Sequence, residues 1–387
     1  MRELAVSLYL IAIKMVFQLF KILPLQKKVV FVASFPENNL FIYRELKAST
    51  DWKPVFLCHP RTVDAFKETG ETALLFETGN AWQEVKGIYH LATARRVIVD
   101  NYYGFLSAVK FKQSVKRIQI WHAAGAIKQF GLMDPSNKLR SPNAMGRFKS
   151  VYQNFQQIVV GSDFMADIFT QAFGTPTGGF LPTGIPRTDF FYDPALMEAA
   201  KESFYQRFPD LKTKKIILYA PTFRHNEGRE GKFPLDINLM RERLGDGYAL
   251  VLRLHPKVRG SSTTTLDFLG FAFDGQAFPD INSLLPVTDI LISDYSSIPM
   301  EFSLLERQMI FYPYDLEDYQ KNTGLWEDYL EAMPGPVVFS TEGLIDAILT
   351  NEVDLAQIRR FKEKWNMYSK GHSSSSFVEA FIGEENH

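Results

Sequence analysis

The sequence predicts an α/β protein built from two doubly wound parallel sheets, with one amphipathic helix at the N-terminus. Apolar, β-branched runs alternate with helix-length segments along most of the 387 residues. A passage rich in glycine and proline at 173–186 interrupts this alternation once, and polar residues follow several of the runs directly. The length suffices for two domains of ordinary size, and we predict the ranges 1–26, 27–180 and 181–387.

Residues 1–26 predict an amphipathic helix that associates with a membrane. Most of its surface is apolar and includes Leu10 and Phe17. Its polar side chains fall within about 60° of one another on a helical wheel: Glu3, Ser7, Lys14, Gln18 and Lys21. A spanning helix places Lys14 near the bilayer midplane at a cost of about 2.5–3.5 kcal/mol, whereas a helix in the interface leaves the polar stripe in water. Residues 23–26 lack the small residues of a secretory cleavage site. Docking of the helix on the protein's own surface stays an open alternative.

The range 27–180 contains one junction with candidate catalytic chemistry. Its predicted strands are 28–34, 54–58, 96–101, 117–121 and 158–162. Trp121 and His122 end the fourth run, and the small residues at 123–126 let a ligand approach the backbone closely. Ligands of an open parallel sheet bind beyond the carboxyl ends of its strands, so His122 is a candidate site residue. A buried structural histidine is the alternative.

An elbow in the second half predicts a phosphate site. The predicted strands of this half are 215–219, 249–254, 289–293, 309–312 and 337–339. After the third of them, the hydroxyls of Ser296 and Ser297 can cap a helix whose free N–H groups point out of the elbow, and Pro299 fits its first turn. Helix capping without any ligand is the alternative.

Other junctions carry residues that can share the same anionic ligand. They are Pro221 and Thr222 after one strand, Arg253 and His255 at the end of the next, and Arg187 in a turn before both. Period-two alternation places Arg253 and His255 on one face, where two such groups are costly unless they meet a ligand or an acidic partner. Arg187 either reaches this ligand or pairs with Asp189.

Composition excludes several other classes of protein. A net charge of −1 and 46% hydrophobic residues fit neither a disordered chain nor a generic nucleic-acid binder. The single cysteine, Cys58, excludes an intrachain disulfide and a cysteine-rich zinc site. No cluster of carboxylates and histidines has metal-ligand spacing, so we expect no tightly bound cofactor, and any Mg²⁺ should bind through nucleotide phosphates.

Five ordered motifs resemble the CDP-glycerol glycerophosphotransferases of wall teichoic acid synthesis. They are the segments 121–131, 219–224, 253–256, 293–302 and 311–319. Within the family the chain is most similar to the glycerol-phosphate primases. Ala123, Ala124 and Gly125 stand where the polymerases carry Gly-Thr-Pro, and the polymerases are commonly longer.

The resemblance implies a GT-B fold of two Rossmann-like domains, in which the C-terminal half holds the nucleotide. It implies transfer of sn-glycerol 3-phosphate from CDP-glycerol to undecaprenyl-diphosphate-linked N-acetylmannosaminyl-N-acetylglucosamine, with release of CMP. An acceptor of this kind implies a peripheral position on the anionic cytoplasmic face of the cell membrane. Other teichoic acid enzymes are expected as further partners.

The resemblance also implies roles for the junction residues. His122 matches the general base of the family, and His255, which we count as the second catalytic residue, joins Arg253 in holding the diphosphate. Glu301, one turn into the helix after the elbow, is implied to bind glycerol or ribose hydroxyls. The other predicted substrate-binding residues are Ala123, Ala124, Gly125, Ala126, Arg187, Pro221, Thr222, Leu254, Ser296 and Ser297.

Three other functions stay open from the sequence. A short glycerol-phosphate polymerase would use the same site, and a GT-B sugar-nucleotide glycosyltransferase would have a similar diphosphate cradle. Competition between CDP-glycerol and UDP-sugars separates these two donor classes. A noncatalytic membrane scaffold would need only the helix and the fold, and nucleotide binding would argue against it.

Overall fold

The computed structural model of the protein describes residues 2–222, 234–254 and 270–383. The chain divides into two compact units. Unit 1 consists of Met1–Ala123, Phe130–Asp189 and Tyr368–His387, and unit 2 consists of Ala124–Gln129 and Phe190–Met367.

Unit 1 contains a seven-stranded parallel sheet. Its strands are β1 (Gln26–Ala33), β2 (Lys53–Cys58), β3 (Thr72–Leu75), β4 (Ala94–Val99), β5 (Lys116–Gln119), β6 (Gln157–Val159) and β7 (Phe180–Leu181). Their order across the sheet is β3-β2-β1-β4-β5-β6-β7. Helices cover both faces of such a sheet, which is why the central strands read as continuous apolar runs. Val29, Val30 and Phe31 of β1 are fully buried.

The helices of unit 1 alternate with its strands. They are α1 (Arg2–Lys21), α2 (Pro36–Ser49), α3 (Val63–Lys67), α4 (Ala81–Ala92), α5 (Pro142–Tyr152) and α6 (Asp163–Phe173). Several begin at side-chain caps, as where Ser141 and Ser162 accept backbone N–H groups of α5 and α6.

Unit 2 contains a five-stranded parallel sheet. Its strands are β8 (Lys215–Tyr219), β9 (Tyr248–Leu252), β10 (Ala272–Asp274), β11 (Ile290–Ser293) and β12 (Gln308–Phe311), in the order β10-β9-β8-β11-β12. Its helices are α7 (Pro194–Arg207), α8 (Ile237–Leu244), α9 (Ile298–Phe302), α10 (Leu316–Thr323), α11 (Tyr329–Ala332), α12 (Thr341–Thr350) and α13 (Leu355–Asn366). One further helix, α14 (Ser373–Phe377), belongs to unit 1.

Both sheets reverse their strand order at one point, which confirms the predicted doubly wound architecture. In unit 1 the order turns between β1 and β4, and in unit 2 it turns between β8 and β11. The chain leaves these two neighbouring strands in opposite directions across the sheet, since β1 continues to β2 and β4 to β5, as β8 continues to β9 and β11 to β12. Ligands of doubly wound sheets bind in the crevice that this separation leaves.

The structure differs from the predicted elements in several short segments. The sequence missed the short strands β3, β7 and β10. Residues 337–339 were predicted as a strand, but Val337 forms only an isolated bridge to Phe311. The predicted strand 249–254 ends two residues early, at Leu252.

The compact units also differ from the predicted ranges in three places. Unit 1 extends to Asp189, because β7 pairs with β6 and the Asp189 carboxylate accepts the Ser373 and Ser374 N–H groups at 2.8 Å each. The chain from Tyr368 onward belongs to unit 1, where Phe377 and Phe381 join the core. Residues 124–129 belong to unit 2.

The helix α1 docks on unit 1 through one face only. Ile13 and Phe17 are buried, and the Phe17 ring meets the Phe111 ring edge to face at 5.2 Å. The sequence assigned Phe17 to the membrane-facing surface, and the structure shows instead that it packs on the protein. Most apolar side chains outside this docked face are exposed: Leu4, Leu8, Ile11, Met15 and Leu19 in the helix and Ile22 directly after it. We call these six residues the outer face. By length and composition, residues 3–21 are also apolar enough to cross a membrane.

We predict that Phe17→Ala loosens α1 without unfolding the sheet. Phe17 is 1% exposed, so truncation removes a packed aromatic side chain at a cost of about 3–5 kcal/mol. This cost lowers the free energy that holds α1 on unit 1. Amide hydrogen exchange should accelerate throughout α1 and stay slow in β1 and β4. Leu19→Ala is the matched control, because Leu19 is 69% exposed on the same helix. Equal exchange in the two variants would show that the aromatic contact does not hold the helix.

Candidate functional site

The candidate site of unit 1 is organised by a buried carboxylate at the point where the strand order reverses, between β1 and β4, which we call the switch point. Asp100 follows β4 directly and is fully buried. Its oxygens accept the N–H groups of Ser34 and Phe35, which follow β1, at 2.8–3.0 Å. They also accept the Asn39 amide at 2.9 Å and the Tyr103 hydroxyl at 2.7 Å. Burial raises the pKa of Asp100 to about 6, whereas the hydrogen-bond donors that face its oxygens favour the ionised form. It therefore ties together the two loops that separate at this point.

His122 is held against these loops by its ring and by one ring nitrogen. The imidazole stacks on the Phe35 ring with centroids 4.4 Å apart, and Nδ1 lies 3.0 Å from the backbone carbonyl of Asp100. A carbonyl can only accept a hydrogen bond, so Nδ1 carries the proton. In the neutral ring Nε2 is then the unprotonated nitrogen, which is the form that a general base requires.

The backbone at Trp121 is strained to present this histidine. Trp121 has a φ of +56°. This backbone conformation is energetically unfavourable for a residue with a large side chain, and such strained residues are concentrated at functional sites. Side chains hold the peptide on both sides, because Gln119 accepts the Trp121 N–H at 2.9 Å and Asn38 donates to its carbonyl at 3.0 Å. The strain supports the functional interpretation of the junction over that of a buried structural histidine.

Arg187 lies in the same cluster. It is 7% exposed, its backbone N–H donates to the side-chain Oδ1 of Asn38, and its guanidinium donates to the backbone carbonyl of His122 at 3.1 Å. Asp189, the alternative partner considered from the sequence, accepts backbone N–H groups of α14. The structure thus places Arg187 beside His122, in unit 1 and not among the residues of unit 2.

Unit 2 also has a buried aspartate at its switch point, between β8 and β11. Asp294 follows β11 directly and is 1% exposed. One of its oxygens accepts the N–H of Thr222, beyond the end of β8, at 2.8 Å and the N–H of Tyr295 at 2.6 Å. The Tyr329 hydroxyl donates to its backbone carbonyl. Asp294 thereby brings Pro221 and Thr222 to the start of the elbow, and the predicted contact of these two residues with a ligand stays a prediction.

The elbow after β11 leads directly into the short helix α9. The Ser296 hydroxyl accepts the N–H of Ile298 at 3.3 Å, whereas Ser297, at the position before the helix, makes no capping bond through its hydroxyl among the described residues. Glu301 is 1% exposed in α9. Tyr295 fixes the elbow from behind, since its ring stacks on Tyr319 at 3.7 Å.

The residues after β9 are only partly described. The Arg253 guanidinium donates to the Pro279 carbonyl at 2.8 Å, and Leu254 packs against the core of unit 2. This packing is a structural role for Leu254, and its predicted contact with substrate stays a prediction. His255, the second predicted catalytic residue, lies outside the described residues, as does Arg224 of the 219–224 motif.

The small residues after His122 pass from one unit to the other. Ala123 belongs to unit 1, whereas Ala124, Gly125 and Ala126 belong to unit 2. A Cβ atom on Gly125 would lie 2.5 Å from the Trp365 ring and 2.9 Å from the Met300 side chain. Close packing therefore explains the glycine, and its predicted contact with a phosphate stays a prediction.

The sequence reading missed Asp100, Asp294 and Asn38. A signal existed for the two aspartates, because each directly follows a buried apolar strand, in Val99-Asp100 and Ser293-Asp294. Asn38 gave no such signal, since its role depends on the tertiary position of Trp121. Within residues 2–222, 234–254 and 270–383, no group of three histidine, cysteine or acidic residues could hold a metal ion.

Comparisons with known proteins agree over nearly the whole chain. The profile of the family described as CDP-Glycerol:Poly(glycerophosphate) glycerophosphotransferase matches residues 15–382. The teichoic acid glycerol-phosphate primase of Bacillus spizizenii is 33% identical over 381 residues, which cover 97% of each chain. The teichoic acid poly(glycerol phosphate) polymerase of the same organism is 28% identical over 99% of this chain and 98% of the polymerase. The teichoic acid poly(ribitol-phosphate) polymerase of this organism is longer, since the match covers 60% of it, so chain length alone does not separate a short polymerase from a primase.

A solved structure supports the fold. The wall teichoic acid polymerase TagF superposes with a TM-score of 0.78 at 19% identity, over 99% of this chain and 98% of that chain. This likeness confirms the predicted GT-B-type architecture.

We predict that Gly125→Ala lowers the midpoint of thermal unfolding. The added methyl meets the buried Trp365 ring, and overpacking of this kind costs about 1–3 kcal/mol. Gly343→Ala in α12 is the matched control, because the nearest atom to its Cβ is 3.5 Å away and the change should leave stability equal or slightly higher. A Gly125→Ala protein as stable as the control would show that the segment moves aside at no cost.

Proposed function

The chain belongs to the CDP-glycerol:poly(glycerophosphate) glycerophosphotransferase family, and we propose that it is a primase of wall teichoic acid synthesis. The family match makes it a teichoic acid glycerophosphotransferase. In our proposal it moves one sn-glycerol 3-phosphate from CDP-glycerol to the N-acetylmannosamine hydroxyl of an undecaprenyl-diphosphate-linked disaccharide and releases CMP. The observation that carries the finer assignment is the end-to-end match to a glycerol-phosphate primase at 33% identity.

His122 is the proposed general base. The attacking hydroxyl loses its proton to Nε2 while its oxygen bonds to the phosphorus that carries glycerol, and the bond from that phosphorus to the CMP oxygen breaks. The hydrogen bond from Nδ1 to the Asp100 carbonyl fixes the tautomer that can accept this proton. Phe35 stacks on the ring and limits its rotation.

The donor is assigned to unit 2. Negative charge gathers on the departing CMP phosphate, and backbone N–H groups with nearby hydroxyls stabilise such charge best when they are fixed in advance. The Asp294 bonds fix the backbone of Thr222 and Tyr295, and Ser296 and Ser297 follow at the elbow. Arg253 and His255 are proposed to contact the diphosphate, and Glu301 the glycerol or ribose hydroxyls. Any Mg²⁺ is proposed to bind through the diphosphate.

A glycerol-phosphate polymerase is the second candidate. The match to a polymerase of equal length favours it. Ala123, Ala124 and Gly125, which replace the polymerase Gly-Thr-Pro, favour the primase.

One reaction tests the function. The full-length protein is incubated with CDP-glycerol and the lipid-linked disaccharide, and the lipid product is weighed by mass spectrometry. A primase adds the mass of one glycerol phosphate, and a ladder of additions would establish a polymerase instead. CDP-ribitol and UDP-sugars serve as alternative donors, and turnover of a UDP-sugar in place of CDP-glycerol would refute the assignment of the donor.

We predict that His122→Ala lowers turnover by about 100-fold or more while CDP-glycerol still binds. Removal of a general base slows the chemical step by this order, whereas the donor is assigned to other residues. Turnover and calorimetric donor affinity should be measured together. His59→Ala, at an exposed histidine of the same unit, is the control and should leave both unchanged. Loss of donor binding in His122→Ala would make the imidazole a phosphate ligand.

Membrane association is proposed to occur through the outer face of α1, at the cytoplasmic surface. The six apolar residues of this face form a continuous exposed stripe, and Lys14 is exposed on the same helix. A helix in the headgroup region buries such a stripe, and lysines beside it add attraction to anionic lipid. The acceptor lipid resides in the same membrane. Other teichoic acid enzymes remain expected partners.

We predict that Leu8→Asp with Ile11→Asp abolishes most co-sedimentation with anionic vesicles. Each change puts a charge into the apolar stripe, and neither residue is buried in the protein, so the fold should persist. Leu330→Asp with Leu355→Asp is the matched control in unit 2, since Leu330 is 55% exposed and Leu8 is 58% exposed. Vesicle binding that survives the α1 change but not the control change would place the membrane surface elsewhere.

A further inference from the structure

A cavity of about 810 Å³ in unit 1 has no role in the function described above. It lies between α1, the loop after β4, the segment 131–141 and α5. Its walls include Val6, Leu10, Tyr102, Phe148 and Tyr152, with Arg140 and Arg147 among the polar groups. Its volume falls within the range of about 300–1,000 Å³ that is typical of small-ligand pockets.

The walls of the cavity are amphipathic. Val6 and Leu10 of α1 and the aromatic rings are apolar. The charged lining consists of Glu3 of α1, Asp134 and Arg140 of the segment 131–141, and Arg147 of α5, and the Asp134 carboxylate accepts the Ser136 N–H. The Arg140 guanidinium lies 4.7 Å from the centre of the Phe148 ring and has no carboxylate partner among the residues that the structure describes. Arg147 is bound to Glu3 of α1 through two hydrogen bonds of 2.8 and 3.1 Å. A ligand that fits these walls has an apolar chain and an anionic group at one end.

The cavity shares its segments with the His122 cluster. Tyr102 lies two residues beyond Asp100, whose carbonyl contacts His122. Gly131 also lines the cavity, and it follows Phe130, which stacks on Trp121 at 4.7 Å. The remaining wall is α1, the helix whose outer face is proposed to meet the membrane. The cavity therefore lies between the membrane helix and the elements that hold the candidate base.

We propose that this cavity binds the isoprenoid diphosphate end of the lipid-linked acceptor. The isoprene units nearest the diphosphate pack against Leu10, Phe148 and the neighbouring rings, and the diphosphate meets the Arg140 guanidinium, which is suited to phosphate oxygens. The proposal rests on the proposed function for the identity of the acceptor. It assigns the lipid end of that substrate to unit 1.

The structure offers a clean way to fill the cavity. Gly104 lines the cavity and does not have a positive φ, so its backbone conformation is one that other residues adopt. A Cβ atom added to it would have no heavy atom within 4 Å. Gly104→Phe should therefore occupy the cavity without a clash in the backbone. Gly146→Phe is the matched control, because Gly146 has equal space and does not line the cavity. Arg140→Gln removes the charge, and Lys138→Gln, an exposed lysine in the same segment, controls for net charge.

Calorimetry on the full-length protein with farnesyl diphosphate as the probe tests the site. We expect farnesyl diphosphate to bind more tightly than inorganic diphosphate. Gly104→Phe and Arg140→Gln should each weaken binding by about tenfold or more, the size expected for a lost charge-assisted bond or a blocked apolar site, and both controls should bind as the wild type does. Equal binding by Gly104→Phe and wild type would overturn the proposal, as would equal affinity for inorganic diphosphate. Equal affinity for a short-chain phosphatidylglycerol would also overturn it, because the site would then accept any anionic lipid.

Turnover separates this proposal from the proposed function. Gly104→Phe should raise the KM for the lipid-linked acceptor by about tenfold and leave turnover of a water-soluble acceptor without isoprenoid unchanged. A wild-type protein that transfers glycerol phosphate to neither acceptor contradicts the function, whatever farnesyl diphosphate shows. A protein that is active on both acceptors, with the same KM values in Gly104→Phe, contradicts only the cavity assignment.

Discussion

The structure depends on one repeated interaction: a buried aspartate that follows the strand at the switch point and accepts one or two backbone N–H groups of the loop after the neighbouring strand. Asp100 does this in unit 1 and Asp294 in unit 2. Bonds from N–H groups to a carboxylate contribute about 1.5–3 kcal/mol each, and a carboxylate buried without them would be strongly unfavourable. The two separating loops are thus fixed where doubly wound sheets bind ligands. The proposed roles of His122 in one unit and of the elbow in the other rely on loops held this way.

The N-terminal helix illustrates why an apolar composition alone does not identify a membrane surface. Ile13 and Phe17 bury one face on unit 1, and Tyr9 contacts Glu84 of α4. The outer face is equally apolar and is exposed. Two of the sequence alternatives, docking on the protein and association with lipid, are therefore compatible, because they use different faces of one helix.

The sequence predicted the strands best where tertiary context matters least. Long buried runs such as β1 and β8 were located within two residues, because parallel strands covered on both faces are continuously apolar. The two-residue β7 and the short β3 lack a pattern of their own and exist through pairing with β6 and β2. The return of the C-terminal segment to unit 1 depends on contacts such as Arg96 with the Phe381 carbonyl, which no local pattern records. The junction residues were found from their places at strand ends. The strained φ of Trp121 and the packing that requires Gly125 became visible only in three dimensions.

The central claim is that the Asp100 loop holds His122 as the tautomer with its proton on Nδ1. Long-range ¹H–¹⁵N NMR of the protein labelled with ¹⁵N-histidine measures this directly, and the His122→Gln spectrum identifies the resonances. At a pH where the ring is neutral, the account predicts a protonated Nδ1 and an unprotonated Nε2. A His122 ring with its proton on Nε2 would contradict the account, because its remaining lone pair would then face a carbonyl oxygen and could not receive the proton of the acceptor hydroxyl.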